Sequence, residues 1–448
     1  MIARPTMLAL VAAMSITAAA HAAPHGRLIQ NAGPSGCVNA SGASGCTRAH
    51  GIAGPADAAV SPDGRNVYVA AFDSNTIAIF RRNSRNGSLR QLSGRQGCIK
   101  HQRRGACEFG RAIAAPVSVA VSPDGRNVYA VSAGSDAISL FARNRRSGAL
   151  RQLTGAKGCI SNFPGGGCRR GRALNEPIEL AVSPDGRRVY VAARSHPSAV
   201  AIFERARNGT LFQAPGPAGC ASTAGAAGCT AARGIRVPWD LDVSRDGRNV
   251  YVAGAQSQGV AVLVRTPQGL SQADDETGCV ALTAAEGCAV GRALGSPAGV
   301  AVSPDGRSVY LSAFEGDSVA VFRRAGPTGG LTQPTGAAGC VKQSGGLGCA
   351  AGRVLDGVHD VVVSPDGRNL YAVTEQINAM SVFGRDPGSG SLHQLPGRWA
   401  CFIRGGVLGC PAGRGLTTVV AVTMSRDGRN VYTVSGEKNG AVGIFRVQ

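Results

Sequence analysis

Fourteen cysteines fall into seven pairs of one spacing, and the pairs return with a nearly constant period. The pairs are Cys37/Cys46, Cys98/Cys107, Cys159/Cys168, Cys220/Cys229, Cys279/Cys288, Cys340/Cys349 and Cys401/Cys410, each C-x8-C. Their first members recur at intervals of 61, 61, 61, 59, 61 and 61 residues. A second marker keeps the same beat: Ser61, Ser122, Ser183, Ser244, Ser303, Ser364 and Ser425 each open an S-[PR]-D-G-R turn. A period of this length means that one supersecondary unit packs against copies of itself, which excludes folds built on a single non-repeating core.

One unit reads as four short strands. Residues 58–61 form the first, and 66–71 (NVYVAA) and 76–81 (TIAIFR) alternate as the second and third. Residues 88–92 (SLRQL) form the fourth. The D-G pair between the first two runs is a hairpin signal. Sixty-four glycines and only 5% aromatic residues suit short strands and tight turns better than packed helices. Seven such units predict an all-β, seven-bladed β-propeller of four-stranded blades. An α-solenoid is excluded by the period-2 patterns, and a β-helix would have a shorter coil without hairpins. Residues 26–30 match the fourth-strand segment 87–91, while the C-terminus stops after a third strand at 441–446. The ring is therefore expected to close by an N-terminal strand completing the last blade, leaving no unpaired ladder at the seam.

The N-terminus reads as a signal peptide over residues 1–22. Arg4 gives a positive start, residues 7–20 carry no charge, and Ala20-His21-Ala22 is a small-x-small cleavage pattern. Cleavage after Ala22 or Ala23 is expected, with an uncleaved anchor as the alternative, leaving residues 23–448 as one propeller domain of about 61 residues per repeat. No later stretch reaches the ~18 apolar residues of a membrane span. All cysteines lie beyond this segment, in even number, and the histidines do not cluster with them as in zinc sites. Seven local disulfides and a periplasmic or extracellular location follow as expectations. Each bridge is worth about 2–4 kcal/mol.

The unit AVSPDGRNVYVA followed by SNTIAIFRR resembles the blade signature of the YVTN-type and lactonase-like seven-bladed propellers, a superfamily that includes 6-phosphogluconolactonases and carboxymuconate cyclases. The resemblance spans the chain after residue 22 and implies the fold, with lactone hydrolysis or cycloisomerisation as the implied chemistry. Lactonase-type members carry Arg and His in a run like P-R-H-x-x-F before this turn. Here the positions five and four residues before each marker serine read Ala56-Asp57, Val117-Ser118, Ile178-Glu179, Trp239-Asp240, Ala298-Gly299, His359-Asp360 and Val420-Ala421. That run is not reproduced, so no catalytic residue carries over. The C-x8-C loop is absent from the group's cytosolic enzymes and fits an exported branch.

In a repeat protein, features present in every blade are expected to be scaffold, and features that break the repeat are candidates for function. All seven tyrosines occupy one second-strand position, and six phenylalanines one third-strand position, so both sets are assigned to packing. The start of the first strand supplies the candidates. Asp57, Glu179, Asp240 and Asp360 are expected at one mouth of the channel, with Asp242 deeper. Such carboxylates could hold a divalent cation such as Ca2+, steer a cationic group or act as acid and base; alternatively, each accepts backbone N–H groups at the blade junction. Trp239 and His359 are unique at their position and are candidates for a stacking platform and a proton shuttle. His359, Asp360, Asp240 and Glu179 are the catalytic candidates. A cation follows each second cysteine by four residues: His50, Arg111, Arg172, Arg233, Arg292, Arg353 and Arg414. The six arginines could form an oxyanion-binding ring or tie each disulfide loop to its neighbour. Arg65, Arg126, Arg187, Arg248, Arg307, Arg368 and Arg429 close the D-G-R turns and read as solvated. The loops from second to third strand differ most between blades and carry Asp73, Arg194, Glu315, Glu375 and Glu437, each weak evidence by itself.

There is no G-x-S-x-G, H-E-x-x-H, phosphate-binding loop or dinucleotide fingerprint. The net charge of +20 concerns partners rather than fold. Without interleaved aromatics it does not read as nucleic-acid binding, and anionic envelope polymers suit it better. Two functions stay open. One is a monomeric exported scaffold that binds a small molecule, an anionic envelope ligand or a protein through its disulfide-loop face and central channel. The other is a lactonase- or cyclase-like enzyme in that channel. No cofactor is expected beyond the divalent cation.

Overall fold

The computed structural model describes residues 25–102, 105–163 and 165–448. The proposed leader, 1–22, lies outside the described residues. Strands and short 3-10 turns make up the regular structure, with no α-helix among the described residues. Seven sheets, antiparallel except for a short parallel strand at the outer edge of six, are arranged as the blades of a propeller, each packing its first strand against those of its neighbours.

In blade one, Pro55–Val60, Asn66–Ala71 and Thr76–Arg82 run antiparallel from the channel outwards. The hairpin between the first two works as its sequence dictates. Gly64 takes φ +66°, Ser61 Oγ donates to Asp63 at 2.6 Å, and the Asn66 amide donates to Ser61 Oγ at 3.0 Å. The second strand is buried throughout, because its two faces meet different neighbouring blades.

The outer edge departs from four strands. Six blades carry six strands and one carries five. The expected fourth strand is broken by a 3-10 turn, Gly94–Gly97, just before the first cysteine. Its first piece, Leu89–Gln91, pairs with the end of the third strand, and its second, Cys98–Lys100, with the beginning. The C-x8-C loop then lays Glu108–Phe109 parallel to that second piece. Disulfide, broken strand and parallel strand are one device.

All seven expected disulfides form, and no cysteine is free. They join Cys37 to Cys46, Cys98 to Cys107, Cys159 to Cys168, Cys220 to Cys229, Cys279 to Cys288, Cys340 to Cys349 and Cys401 to Cys410. The two members of each pair have different settings. The first cysteine opens the second piece of the outer strand and is held in the ladder. The second (Cys46, Cys107, Cys168, Cys229, Cys288, Cys349 or Cys410) stands outside the strands, where the loop turns back towards the parallel segment. Each bridge therefore fastens an irregular loop end to a regular strand.

Ring closure follows the sequence reading, with more chain than one strand. Leu28–Gln30 and Cys37–Asn39 both pair with Ala441–Val447, and Thr47–Arg48 pairs with Cys37–Asn39.

The tyrosines and phenylalanines are buried between blades as expected. The tyrosines do more than fill space. The Tyr68 hydroxyl donates to the Gly148 carbonyl at 2.8 Å, and Arg143 of blade two donates to that hydroxyl at 2.7 Å and ion-pairs with Asp63 at 2.9 Å. Gly148 has φ +88°, and a Cβ there would stand 2.0 Å from Asn66 Nδ2, so the latch requires glycine. Equivalent arginine–aspartate pairs close five other junctions. Between blades six and seven the arginine position is Val447, and the junction keeps the tyrosine–glycine bond, Tyr371 to Gly26.

Candidate functional site

Each first strand begins with a register shift, seen at Pro55/Asp57 in blade one and at the same place in the other six. Such a bulge leaves one residue unpaired and re-aims its neighbours. The unpaired residues are Ala56, Val117, Ile178, Trp239, Ala298, His359 and Val420, and all seven line one cavity of about 380 Å³ at the channel mouth. They give it a largely apolar collar. Four of the residues that follow, Asp57, Glu179, Asp240 and Asp360, also line it and supply carboxyl groups. The structure thus brings Trp239, His359 and the four acidic candidates into a single pocket.

Most of the carboxyl oxygens are committed. Asp240 accepts the amide of Leu241 at 2.7 Å and, across the junction, that of Val300 in blade five at 2.6 Å. Asp360 accepts those of Val361 at 2.7 Å and Val422 at 2.8 Å. Asp57 accepts from Ala58 at 2.6 Å and Val119 at 2.9 Å, and Asp242 repeats the pattern lower down with Val243 and Val302. These are the blade-junction bonds foreseen as the alternative to a ligand role. Glu179 differs. Its longer side chain places Oε1 on Leu180 N at 2.8 Å and on Ser118 Oγ at 2.7 Å, leaving Oε2 without a partner among the described residues. Ser118 also donates to Asp57 at 3.1 Å, so one hydroxyl bridges two acids.

Crowding acids in a partly buried pocket makes ionisation costly. Burial raises Asp57 above its ordinary range and takes Asp360 to about 7 and Asp242 to about 6. Burial also holds Glu179 well above the usual carboxylate range, and the charges of Asp57 and Asp240 add to it. Asp240 is raised in the same way by burial and the Asp360 charge. Asp360 and Asp242 can therefore hold and release protons near neutrality. The divalent-cation reading finds no ligand set: no group of three or more His, Cys, Asp or Glu among the described residues is placed to hold a metal ion.

At the same mouth, His359 stands edge-on to Trp239 and to Phe314, with ring centroids 6.0 and 6.2 Å apart. Burial pushes its pKa down to about 4, so the imidazole is neutral at neutral pH. Its Nε2 lies 3.8 Å from Glu375, whose carboxyl is itself raised by burial. Arg194 stacks over Trp239 with its guanidinium carbon 5.0 Å from the ring centre. Small residues at blade five, Ala298 and Gly299, leave the space these rings occupy; a Cβ on Gly299 would come 3.0 Å from Asp360 Cα.

The sequence reading missed Phe72, which lines the pocket, and Phe314, which packs on His359. Together with Arg194 and Glu375, they stand four residues after the blade tyrosine, where the other blades have Ala133, Ala255 and Gly436. That variable position was the available signal.

The ring arginines and the cysteines lie elsewhere. None of the six arginines lines the pocket; their guanidinium groups bond carbonyls at the 3-10 turn leading into the next first cysteine, and Arg111, Arg233, Arg353 and Arg414 also reach carbonyls inside the next C-x8-C loop. Arg111 reaches Gly155 O at 2.6 Å, Arg172 reaches Ala214 O at 3.0 Å, and Arg233 reaches Ala273 O at 2.6 Å. Arg292 reaches Pro334 O at 2.7 Å, Arg414 reaches Asn31 O at 2.6 Å, and Arg353 bonds Gly397 O. This is the loop-tying arrangement, the second of the two readings. No cysteine lines the channel-mouth pocket either. Cys46, Cys168, Cys229, Cys288, Cys349 and Cys410, like Cys107, are consumed in their bridges, so the clips support this pocket from outside rather than furnish it.

A family model described as "Lactonase, 7-bladed beta-propeller" matches residues 45–159. The chain's likeness is to the lactonase-type propellers. Solved structures agree on the fold. A putative 6-phosphogluconolactonase from Bacteroides fragilis is 20% identical with TM-score 0.54, covering 76% of this chain and 83% of its own. The periplasmic gluconolactonase of Pseudomonas aeruginosa is 18% identical with TM-score 0.53, covering 83% and 91%. Hydrazine synthase from Kuenenia stuttgartiensis is 15% identical with TM-score 0.55, covering 90% and 98%, so the fold alone does not carry an activity. No curated protein matches the sequence. On this lactonase-like frame the chain combines a C-x8-C clip on every blade with a channel mouth whose ionisable lining is wholly acidic apart from His359.

Proposed function

We propose that the protein is an exported hydrolase of small, unphosphorylated lactones, with its chemistry in the channel-mouth pocket. The observation that carries this reading is the position of Glu179. It is the one pocket carboxylate of the blade-junction set with an oxygen unspent on the described residues, and it faces an apolar collar on a lactonase-type fold. Among the described residues no Lys or Arg lines the pocket, the Arg194 guanidinium over Trp239 is ion-paired with Glu176, and a ring of carboxyl groups repels anions, so phosphorylated lactones suit it poorly.

In the proposed reaction, the lactone ring rests on the Trp239–His359 wall. Ionised Glu179 takes a proton from a water as the water oxygen adds to the lactone carbonyl. The tetrahedral intermediate collapses, the ring C–O bond breaks, and the same proton passes from Glu179 to the leaving ring oxygen. The product is a hydroxy acid, and Glu179 returns to its starting state. The raised pKa brings Glu179 towards the operating pH, where a general base that must also act as an acid is most effective. The seven disulfides support the export reading.

The test is hydrolysis of a panel of sugar and aliphatic lactones. We expect turnover of at least one neutral lactone, a loss of about 100-fold or more in Glu179→Gln, and unchanged melting. A folded protein inert towards the whole panel would overturn the enzyme reading. A ligand-binding propeller without turnover is the second reading, favoured because Asp57, Asp240 and Asp360 spend oxygens on backbone amides. Calorimetric binding of a lactone without hydrolysis would select it.

A further inference from the structure

The face opposite the disulfide loops is made of the seven D-G turns and the loops joining third to outer strands. Its charge is one-sided. Six of the seven turn aspartates are neutralised by latch arginines of the next blade. The seven turn arginines, from Arg65 to Arg429, are exposed, and their side chains have no hydrogen-bond or ion-pair partner among the described residues. The adjoining loops add exposed Arg85, Arg145, Arg146 and Arg207, against one acid, Asp386.

The centre of this face breaks the repeat. In five turns the residue after the marker serine is proline, whereas blades four and seven have Arg245 and Arg426. Both are exposed, and neither makes a side-chain hydrogen bond or ion pair among the described residues. Blades four and seven stand on opposite sides of the ring, yet the Arg426 guanidinium, already affected by burial, also feels the charge of Arg245. The charge of Arg245 reaches Asp242 inside the channel as well. Each stands two residues past the end of a channel-lining first strand, Pro238–Val243 or Val419–Met424, which sets both at the rim of the channel opening. The face is also bare of large apolar groups: none of the exposed ones among the described residues lies in these turns or loops, and Phe163, Leu347, Val407 and Leu408 stand in C-x8-C loops on the other side.

We propose that this face docks an anionic polysaccharide. Arg245 and Arg426 take one sulfate or phosphate group at the channel opening, and the surrounding turn arginines hold further groups of the same polymer. Guanidinium forks suit tetrahedral oxyanions. A plate with charges and no apolar side chains has nothing to insert into a bilayer, which favours a hydrated polymer over a membrane. The proposal is independent of any chemistry in the opposite mouth.

The experiment titrates the full mature chain against fluorescent dextran sulfate. Binding should weaken at least tenfold between about 50 and about 200 mM salt, as counterion release requires. The pair Arg245→Pro and Arg426→Pro restores the residue found in the other five turns, so melting should hold while affinity falls about tenfold. Adding Arg126→Glu and Arg187→Glu should weaken it further and flatten the salt dependence. The proposal is overturned by absence of binding. It is equally overturned if these variants bind undiminished while Arg169→Ala with Arg170→Ala, on the disulfide side, does not. Affinity for duplex DNA or for phosphatidylglycerol vesicles that equals or exceeds that for dextran sulfate overturns the polysaccharide assignment.

Discussion

Arg143 of blade two donates to the hydroxyl of Tyr68 in blade one at 2.7 Å, with its side chain wholly buried. The same guanidinium holds Asp63, the Asn66 side chain at 2.7 Å and the Gly125 carbonyl at 3.0 Å. Removing it leaves several buried acceptors unpaired. Arg143→Ala should therefore cost about 3 kcal/mol or more, as broken buried pairs do. Arg65→Ala, in an exposed turn, should stay within about 0.5 kcal/mol. Denaturant midpoints of the two variants compare them directly; equal midpoints would sink the latch.

The pH dependence of stability has two limbs. Burial works against the charge on Asp185, but Ser183, the Arg187 amide and Arg265 outweigh it and lower its pKa to about 2 from 3.8. A depressed acid stabilises above its unfolded pKa, so this contribution fades as pH falls from about 4 to about 2. Asp360 and Asp242 have the opposite sign, being raised to about 7 and about 6. The folded chain binds more protons there, so stability declines as pH rises from about 4 to about 7. His359, lowered to about 4 from 6.5, works the other way in that window, but the raised acids outnumber it, so melting temperature should peak near pH 4–5, and a scan at fixed ionic strength checks this. A profile rising to neutrality would contradict the pocket electrostatics.

Removal of one clip, Cys98→Ser with Cys107→Ser, should lower stability by about 2–3 kcal/mol. Because each blade anchors its own loop, the loss should stay local, with limited proteolysis near residue 105 rather than collapse of the ring. Mass spectrometry of the intact protein should count no free thiols.

The two tryptophans report different places. Trp239 lines the pocket, while Trp399 stacks between Arg27 and Arg398 near the outer edge. In Trp399→Phe, intrinsic fluorescence should change as a lactone is titrated. Trp239→Leu should raise KM more than it lowers kcat, the signature of a binding wall rather than a reacting group.

The repeat made the blade count, the disulfide pairing and the seam legible, because each rests on spacing. The broken outer strand was not legible, since Leu89–Gln91 and Cys98–Lys100 are each too short to show a period. At the pocket, the positions of Asp57, Glu179, Asp240 and Asp360 could be read from their break with the repeat. Their bonds could not, because the partners are backbone amides such as Val300 N and Val422 N, which leave no mark in side-chain identity. Glu179 shows this best. The next blade's amide, Leu241 N, is taken by Asp240, so Glu179 accepts from Ser118 instead and keeps one oxygen free among the described residues.

The strand Leu28–Gln30 finds its ladder only on Ala441–Val447. Synthesis delivers the first of these long before the second, so blade seven cannot assemble while the chain is incomplete. Until Ala441–Val447 is available, the ring is an open arc with an unfinished sheet at one end. The meeting of these two distant segments, rather than growth of any single lobe, is the event that closes the ring.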